Sequence, residues 1–416
     1  GHTNLDAYVI GALTKALWRM TKLGWFDNAI SAEYREIVTE VKTLMGMSPS
    51  HQLIGLKTLQ SLVDEMNTPT TGRSLTSHRK TAVSFRDQCL YSAFQIAAET
   101  LKEKAPLDVN GNAVINVNQM DAHSAKVVQM SMQLCVTCLS FDFIGTNPED
   151  SQEDVGTVQV PSAWRPIVHD CATMQLFFDI YSTSETPTSK LALQALVLLS
   201  SVRRSLFSNE RERTDFLQSL MNGIERIMTN RIGLNDLQNY HEFCRLLGRL
   251  KTSYQLSELV KTANFQGWLE LAGNFTIMSF HSWQHCMNSI HYLLALWGRM
   301  VAALPYLRNQ DDPTNTELLR ACVLRVIESY IQTMLESVDI VAQSDGTIED
   351  PLDDEGSIKE AMDRLPVIAR AHYQSVCVGL CAYWEENLNL FAQGAAMAIT
   401  PQVITQMKVI EARLVW

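Results

Sequence analysis

The fold is decided by the stretch from Ser189 to Asn230, which reads SKLALQALVLLSSVRRSLFSNERERTDFLQSLMNGIERIMTN. In its first half, apolar residues recur at the spacing of a buried helical stripe, and they are Leu191, Ala195, Leu198, Leu199, Val202 and Leu206. Leu193 and Leu196 lie off this stripe, so the predicted helix is apolar on nearly two sides. A single helical hairpin cannot bury two faces. A stack of hairpins can, because each hairpin has a neighbour on either side.

A second helix is predicted after a short turn at Phe207. Asn209, with Glu212 three residues later, indicates a helix start that resembles a capping box. One face of this helix is apolar and comprises Phe216, Leu217, Leu220, Met221, Ile224, Ile227 and Met228. The opposite face carries charged residues, among them Arg211, Arg213 and Arg226, which we expect to meet solvent or a partner.

Composition limits the classes of function. The chain has 416 residues, of which 46% are apolar, and its net charge is -11. The negative charge argues against direct nucleic-acid binding, which needs a basic face, and suits a receptor for basic proteins. The run from Tyr292 to Tyr306 contains Arg299, and no apolar run is long enough for membrane insertion. Nine cysteines, spread singly, indicate reduced thiols in a nucleocytoplasmic compartment.

Helical patterns continue along the chain, and no stretch alternates strongly with the period of a strand. First helices are predicted to start at about residues 3, 49, 188, 235 and 285, a spacing close to the roughly 40–47 residues of HEAT and armadillo repeats. We therefore expect an all-α, right-handed superhelix (solenoid) of about seven HEAT/armadillo-like helix pairs. It forms one array over residues 1–416, with loops at 104–118, 142–160 and 344–356. Its first and last residues suggest a piece truncated at both ends.

Two pairs of cysteines have the spacing of reactive or metal-binding thiols. Cys135 and Cys138 form a CxxC, but this motif lies in an apolar helix, and no second CxxC completes a zinc site. Core packing is therefore the preferred interpretation. Cys377 and Cys381, four residues apart, are interpreted in the same way.

Two further patterns resemble catalytic sites. His281 and His285 have the spacing of helical metal ligands, but the glutamate of an HExxH protease is missing, so capping or surface positions are favoured. Asp311 and Asp312 resemble the magnesium-binding motif of helical prenyl-transferring enzymes. Those carboxylates must project from a continuous helix, whereas Pro313 here indicates a loop. No cofactor site, metal site or catalytic group is therefore predicted.

The loop from Ser344 to Gly356 is acidic, and its carboxylates are Asp345, Glu349, Asp350, Asp353, Asp354 and Glu355. If Asp350 is placed first in an EF-hand loop, the third and twelfth ligand positions fall on Leu352 and Ala361, which excludes a calcium site of that kind. Two interpretations stay open. The loop is either a solvated linker or an acidic patch for a basic partner, because clustered carboxylates accelerate association with cationic surfaces.

Several long sequence words occur in a characteristic order, and they include Thr21–Asp27 (TKLGWFD), Phe141–Thr146 (FDFIGT), Leu176–Asp179 (LFFD), Ser201–Phe207 (SVRRSLF), Asn239–Lys251 (NYHEFCRLLGRLK), Ser289–Trp297 (SIHYLLALW) and Glu349–Leu352 (EDPL). Together they resemble the nuclear transport receptors of the exportin-7 type, also called Ran-binding proteins 16 and 17. The resemblance extends from about Leu13 to Leu390. The loop 105–118 and the tail after Gln393 depart from the family's pattern.

The resemblance implies a receptor of the importin-β superfamily, a superhelix of HEAT repeats that carries protein cargo through nuclear pores. It implies three kinds of partner: the small GTPase Ran in its GTP form, protein cargo, and nucleoporins. It also implies shuttling between nucleus and cytoplasm, with export, import or both left open. This chain is similar to the N-terminal half of the family without its first repeats, which hold much of the family's main Ran contact.

In a HEAT array the second helix of each pair lines the concave side, so Arg211, Arg213 and Arg226 are expected to face a partner there. The acidic loop would then lie at the inner rim, where its carboxylates could hold Ran·GTP or a basic cargo. The alternative is a HEAT-repeat interaction scaffold of the phosphatase or ubiquitin-ligase type, without Ran dependence.

Overall fold

A computed structural model of the chain describes residues 7–27, 31–106, 114–143, 157–307, 313–344 and 346–415. These residues form helices joined by turns, and the α-helices are α1 (Ala7–Leu23), α2 (Ser31–Met45), α3 (Pro49–Asn67), α4 (Leu75–Phe85), α5 (Tyr91–Glu103), α6 (Ala122–Leu139), α7 (Arg165–Val168), α8 (Cys171–Ser182), α9 (Thr188–Ser200), α10 (Glu210–Asn230), α11 (Leu237–Ser253), α12 (Leu256–Leu259), α13 (Phe265–His281), α14 (Trp283–Ala303), α15 (Pro313–Gln343), α16 (Glu355–Ala369), α17 (Tyr373–Ala395) and α18 (Pro401–Val415). The predicted all-α class is confirmed.

Extended pairing in the described residues is limited to one parallel bridge between Val158 and Val202. The backbone N–H of Val158 donates to the carbonyl of Ser201 at 2.9 Å, and the N–H of Arg203 donates to the carbonyl of Val158 at 3.2 Å. This bridge ties the end of the second predicted loop to the turn after α9.

The chain divides into two compact units, of which the first comprises Gly1–Gly223 and Ile232–Glu242. Within this unit, α2 packs on α3, α5 on α6 and α8 on α9, so that three successive pairs are formed. The second helices also pack side by side, α3 on α6 and α6 on α9, while α5 contacts both α2 and α8. Pairs arranged in two layers are the packing of a helical repeat array, as the sequence predicted.

Helix α9 is buried on more than one side because α8 and α6 both cover it. Leu193, Leu196 and Ala195 are each 0% exposed. The helix ends at Ser200, earlier than the apolar stripe predicts, because the hydroxyls of Ser200 and Ser201 both donate to the carbonyl of Val197 at 2.7 Å. Beyond the helix, the last two residues of that stripe are still buried in the turn.

The helical run from α4 to α5 contains a π-helical segment, Arg86–Leu90. Phe85, just before it, packs edge-on against Trp25 with ring centroids 5.8 Å apart. Phe94, after it, packs against Trp164 at 5.0 Å. All four rings are buried. The wider π turn changes the register of the helix, as such segments do.

The second unit comprises Ile224–Arg231 and Phe243–Trp416. Helices α13 and α14 pack on each other, and corresponding helices of the next pair follow the same order, with α15 packed on α13 and α16 on α14. The last pair departs from this order, because α18 contacts α15 more extensively than α17 does. Arg413 of α18 forms an ion pair with Asp339 of α15, whose Oδ1 lies 2.6 Å from the guanidinium.

Helices α15 and α16 of the second unit each contain a proline. α15 begins at Pro313, and proline fits this first turn because its missing N–H costs nothing there. α16 continues through Pro366 and ends at Ala369, where the 3-10 segment Arg370–His372 follows. Ile368, just beyond the proline, is 0% exposed. We attribute this continuity to burial, which offsets the roughly 3 kcal/mol cost of an internal proline.

The predicted loops are only partly described. Residues 107–113 and 144–156 lie outside the described residues, and the third loop contains a short 3-10 helix, Pro351–Asp353, before α16 begins. A single array over residues 1–416 with about seven pairs remains a prediction. In the described part of the chain, no helix combines the length and apolarity needed to cross a membrane.

Candidate partner-binding surfaces

The first candidate surface is the acidic segment, residues 344–356, between α15 and α16. Asp345 lies outside the described residues. The segment turns at Gly346, whose φ of 81° favours glycine, and Thr347 donates to the carbonyl of Ser344 from its N–H at 3.1 Å and its hydroxyl at 2.7 Å. Pro351 is buried. The segment is therefore a folded connection.

Asp354 is the N-cap of α16. Its Oδ1 accepts the backbone N–H groups of Gly356 and Ser357, both at 3.1 Å, and its Oδ2 accepts the Ser357 hydroxyl at 2.7 Å. The Ser357 side-chain hydrogen bond and these backbone bonds lower the pKa of Asp354. Its carboxylate is thus used to start the helix, and an aspartate directly before a helix is a sequence signal that indicates such a cap.

Three other carboxylates of the segment, those of Glu349, Asp353 and Glu355, are exposed, whereas Asp350 is half-buried and makes a polar interaction. Glu355 lies in the first turn of α16, where a negative charge is favoured by the helix dipole. We refer to Glu349, Asp353 and Glu355 as the acidic patch. A patch of this kind can attract a cationic surface without enclosing a small ligand.

The second candidate surface is the start of α10. The predicted cap at Asn209 is confirmed, because its Oδ1 accepts the N–H of Glu212 at 2.9 Å. The Glu212 carboxylate returns to the N–H of Ser208 at 2.9 Å, one residue earlier than in a standard capping box. Arg211, beside this cap, is exposed and lies 3.9 Å from Asp215.

Arg213 is buried, with only 5% of its surface exposed, so the prediction that it faces a partner is wrong. Its guanidinium carbon lies 5.5 Å from the centroid of the Phe207 ring, a cation–π distance. The physical reason is helical spacing, since Arg213 precedes Phe216 and Leu217 by three and four residues and shares their apolar side. Arg226 is half-buried and makes a polar interaction.

His169 belongs to the same cluster. Its ring stacks on Phe207 with centroids 4.8 Å apart and planes 3° from parallel, and its Nδ1 lies 3.5 Å from Oε2 of Glu212. Burial lowers the pKa of His169, the Glu212 carboxylate opposes that change, and Arg165 adds to it. Sequence reasoning did not identify this histidine, because its partners are 38 and 43 residues away in the chain.

The cysteine predictions have opposite outcomes. Cys135 and Cys138 are each 0% exposed, and burial raises the pKa of both thiols, which confirms core packing. Cys377 is half-buried and Cys381 is exposed, so core packing is wrong for this second pair. Both lie on α17, which has few covering neighbours.

His281 and His285 are both exposed, as the surface interpretation predicted. His281 ends α13, and its Nδ1 lies 3.3 Å from the hydroxyl of Thr333. Asp311 and Asp312 lie outside the described residues. Among the residues with described positions, no three His, Cys, Asp or Glu side chains are grouped to hold a metal ion.

Residues 338–416 match the family described as Exportin-7-like, TPR domain. Exportin-7-A of Xenopus laevis is 38% identical over 414 residues, which cover 99% of this chain and 36% of that protein. Ran-binding protein 17 of Homo sapiens is 37% identical over 417 residues, with coverages of 99% and 36%. Ran-binding protein 16 of Drosophila melanogaster is 38% identical over 388 residues, with coverages of 92% and 34%. This chain is homologous to exportin-7 and to Ran-binding proteins 16 and 17.

The homology confirms the resemblance seen in the sequence. The match to the Exportin-7-like family continues to residue 416. The expectation that the tail after Gln393 departs from the family's pattern is therefore wrong. The chain spans about a third of the length of these curated relatives. A crystal structure of an engineered protein aligns with 99% of this chain and 95% of its own, but at 11% identity and a TM-score of 0.30 it carries no weight here.

Proposed function

We propose that this chain is part of a nuclear transport receptor that binds protein cargo under the control of Ran·GTP. The supporting observation is the similarity across 99% of the chain to an exportin-7 and to a Ran-binding protein 17. The proposed partners are Ran in its GTP form, protein cargo and nucleoporins, and the proposed location is both nucleus and cytoplasm. The work of such a receptor is macromolecular recognition, so no catalytic step is assigned.

The packing of successive helix pairs on their neighbours, seen within each unit, supports the proposed role as a transport receptor. Each pair in such an array contacts only its neighbours, so small changes between pairs can add up to a change in curvature. A partner that binds one curvature better than another shifts the population toward it, by as much as its difference in affinity allows. In this proposal, Ran·GTP is the partner that selects the curvature, and cargo affinity changes with it.

The acidic patch is the part of the acidic segment that we assign to Ran or to a basic cargo. Its three carboxylates are exposed, whereas Asp354 caps α16 and Asp350 is half-buried. Asp345, outside the described residues, belongs to the same predicted set. Of the three arginines predicted from α10, Arg211 is the exposed one and remains the candidate for an acidic partner contact.

The test uses the full-length receptor that contains this chain, because the first repeats of the family are expected to share the Ran contact. The variant E349Q/D353N/E355Q removes the acidic patch and leaves Asp354 in place. We expect about a three- to tenfold slower association with Ran·GTP or basic cargo at low salt, and a flatter dependence on salt, because exposed charges act mainly on the association rate. Stopped-flow fluorescence measures both.

E385Q/E386Q/E411Q is the matched control, since it removes the same charge from exposed positions outside the acidic patch. Equal association rates for the two triple variants would remove the role of the patch. Capture of Ran by the unaltered receptor should require GTP. Capture that is indifferent to the nucleotide would reject the transport proposal and favour a Ran-independent scaffold.

A further inference from the structure

A groove of about 380 Å³ lies between α15 and α17 in the second unit. Its floor is apolar and is formed by Ile331, Leu335, Val376, Leu380 and Tyr383. Ile331 and Leu335 are only half-buried, and Leu380 is 41% exposed. Apolar side chains therefore remain in contact with water along this groove, and a partner would gain free energy by covering them.

The charged side chains at the rim of the groove are all acidic. Glu328, Glu336 and Asp339 line it, and no lysine, arginine or histidine among the described residues does. Arg413 neutralises Asp339 from the α18 side, at 2.6 Å. Glu328 and Glu336 are exposed, and Glu336 accepts a hydrogen bond from the neutral amide of Gln332 at 2.8 Å. The two glutamates are thus available to a cationic partner.

The groove is open at Gly379. A Cβ added there would meet no atom of the described part of the chain within 4 Å, although the residue lies in the interior of α17. Glycine in a helix interior is destabilising by roughly 0.5–1 kcal/mol relative to alanine. Because Gly379 has no side chain, the wall of the groove has a gap at this position, and a side chain of a partner could enter that gap.

We propose that this groove binds a basic amphipathic helix of a partner protein. The lining residues of α15, from Glu328 to Asp339, span about three helical turns, or roughly 16 Å, which suits a helix laid along them. Its apolar side chains at i, i+4 and i+7 would cover the floor, and its flanking lysines or arginines would reach Glu328 and Glu336. Complementarity of charge favours this occupant over a neutral or acidic one.

The test is a fluorescence-anisotropy titration of the full chain with a labelled peptide of about 14 residues, roughly four turns. The peptide carries leucines at i, i+4 and i+7 and lysines on either side of them. Gly379→Trp fills the groove, and Gly11→Trp, at another helical glycine where a Cβ meets nothing within 4 Å, is the control. We expect Gly379→Trp to weaken binding at least tenfold and Gly11→Trp to leave it unchanged.

Charge is tested separately. E328Q/E336Q should weaken binding and flatten its dependence on salt, whereas E385Q/E386Q, at exposed positions of α17 outside the groove, should not. A peptide with glutamates in place of lysines should not bind. The proposal is overturned if the lysine peptide does not bind the unaltered chain, if it binds the Gly379→Trp variant equally well, or if the glutamate peptide binds as tightly. Circular dichroism confirms that each variant is folded.

Discussion

Helices α9 and α17 are both rich in apolar residues, yet their environments are opposite. In α9, 11 of 13 residues are buried, whereas in α17 only Val376 and Asn387 of 23 residues are. The cause lies in their neighbours. α9 is covered by α6 and α8, and α17 packs mainly on α18 because α18 takes the position beside α15. Apolar composition thus indicates that a helix needs cover, and the surrounding helices decide how much cover it receives.

The largest expected difference between α9 and α17 is the loss in the free energy of unfolding when a leucine is replaced by alanine. Leu196→Ala in α9 should lower the free energy of unfolding of the first unit by about 2–5 kcal/mol, because the residue is fully buried and leaves a cavity. Leu388→Ala in α17, at a side chain that is 43% exposed, should cost less than about 1 kcal/mol. Urea unfolding of both variants measures this. Equal losses would show that α17 is covered in solution.

Replacing a helical glycine by alanine should change stability in opposite directions in the two units, and both changes should be smaller than that of Leu196→Ala. A Cβ at Gly223 would lie 2.3 Å from ring carbons of Phe178, so Gly223→Ala should destabilise the first unit by about 1–3 kcal/mol through overpacking. Gly379→Ala, in open space on α17, should stabilise its helix by about 0.5–1 kcal/mol, because alanine is the better helix former. Thermal unfolding distinguishes the signs. A destabilised Gly379→Ala variant would mean that this wall of α17 is already occupied.

The smallest effect concerns His169, in the covered first unit. Burial lowers its pKa below the ordinary value of about 6.5, so the unfolded chain binds the proton first. Its contribution to stability is therefore complete above about pH 6.5 and is lost as the pH falls toward the folded pKa. His169→Gln should flatten the loss of stability between about pH 7 and pH 5, and His285→Gln, at an exposed position, is the control. An unchanged slope in His169→Gln would contradict the assignment.

Much of the fold could be predicted from the sequence, because period and caps are local. The 3.6-residue period located most helices, and the Asn209–Glu212 pair marked the start of α10. Arg213 was assigned to the exposed face, although its spacing from Phe216 places it on the apolar side of the helix. An arginine can lie on an apolar face when its guanidinium packs on an aromatic ring, as that of Arg213 does on Phe207. The burial of Arg213 depends on how the turn at Phe207, six residues earlier, packs against the helix, and a helical pattern does not contain that information.

The candidate site was predictable only in part. The acidic residues of the loop were recognised, but the cap at Asp354 was not. An aspartate in an acidic cluster and an aspartate that caps a helix are the same residue type, so composition alone does not distinguish the two roles. The exposure of Cys377 and Cys381 could not be predicted at all. It follows from the position of α18 beside α15, a tertiary choice that no pattern within α17 records.

The π-helical segment between α4 and α5 decides which way the aromatic rings on either side of it face. The hydrogen bonds of a π turn span five residues instead of four, so the turn holds one residue more than a regular α-helical turn. Each residue of an α-helix turns its neighbours by about 100°, so removing one here would rotate Phe94 away from Trp164 while Phe85 stayed against Trp25. The irregularity reconciles two aromatic contacts that a perfectly regular helix could not satisfy together.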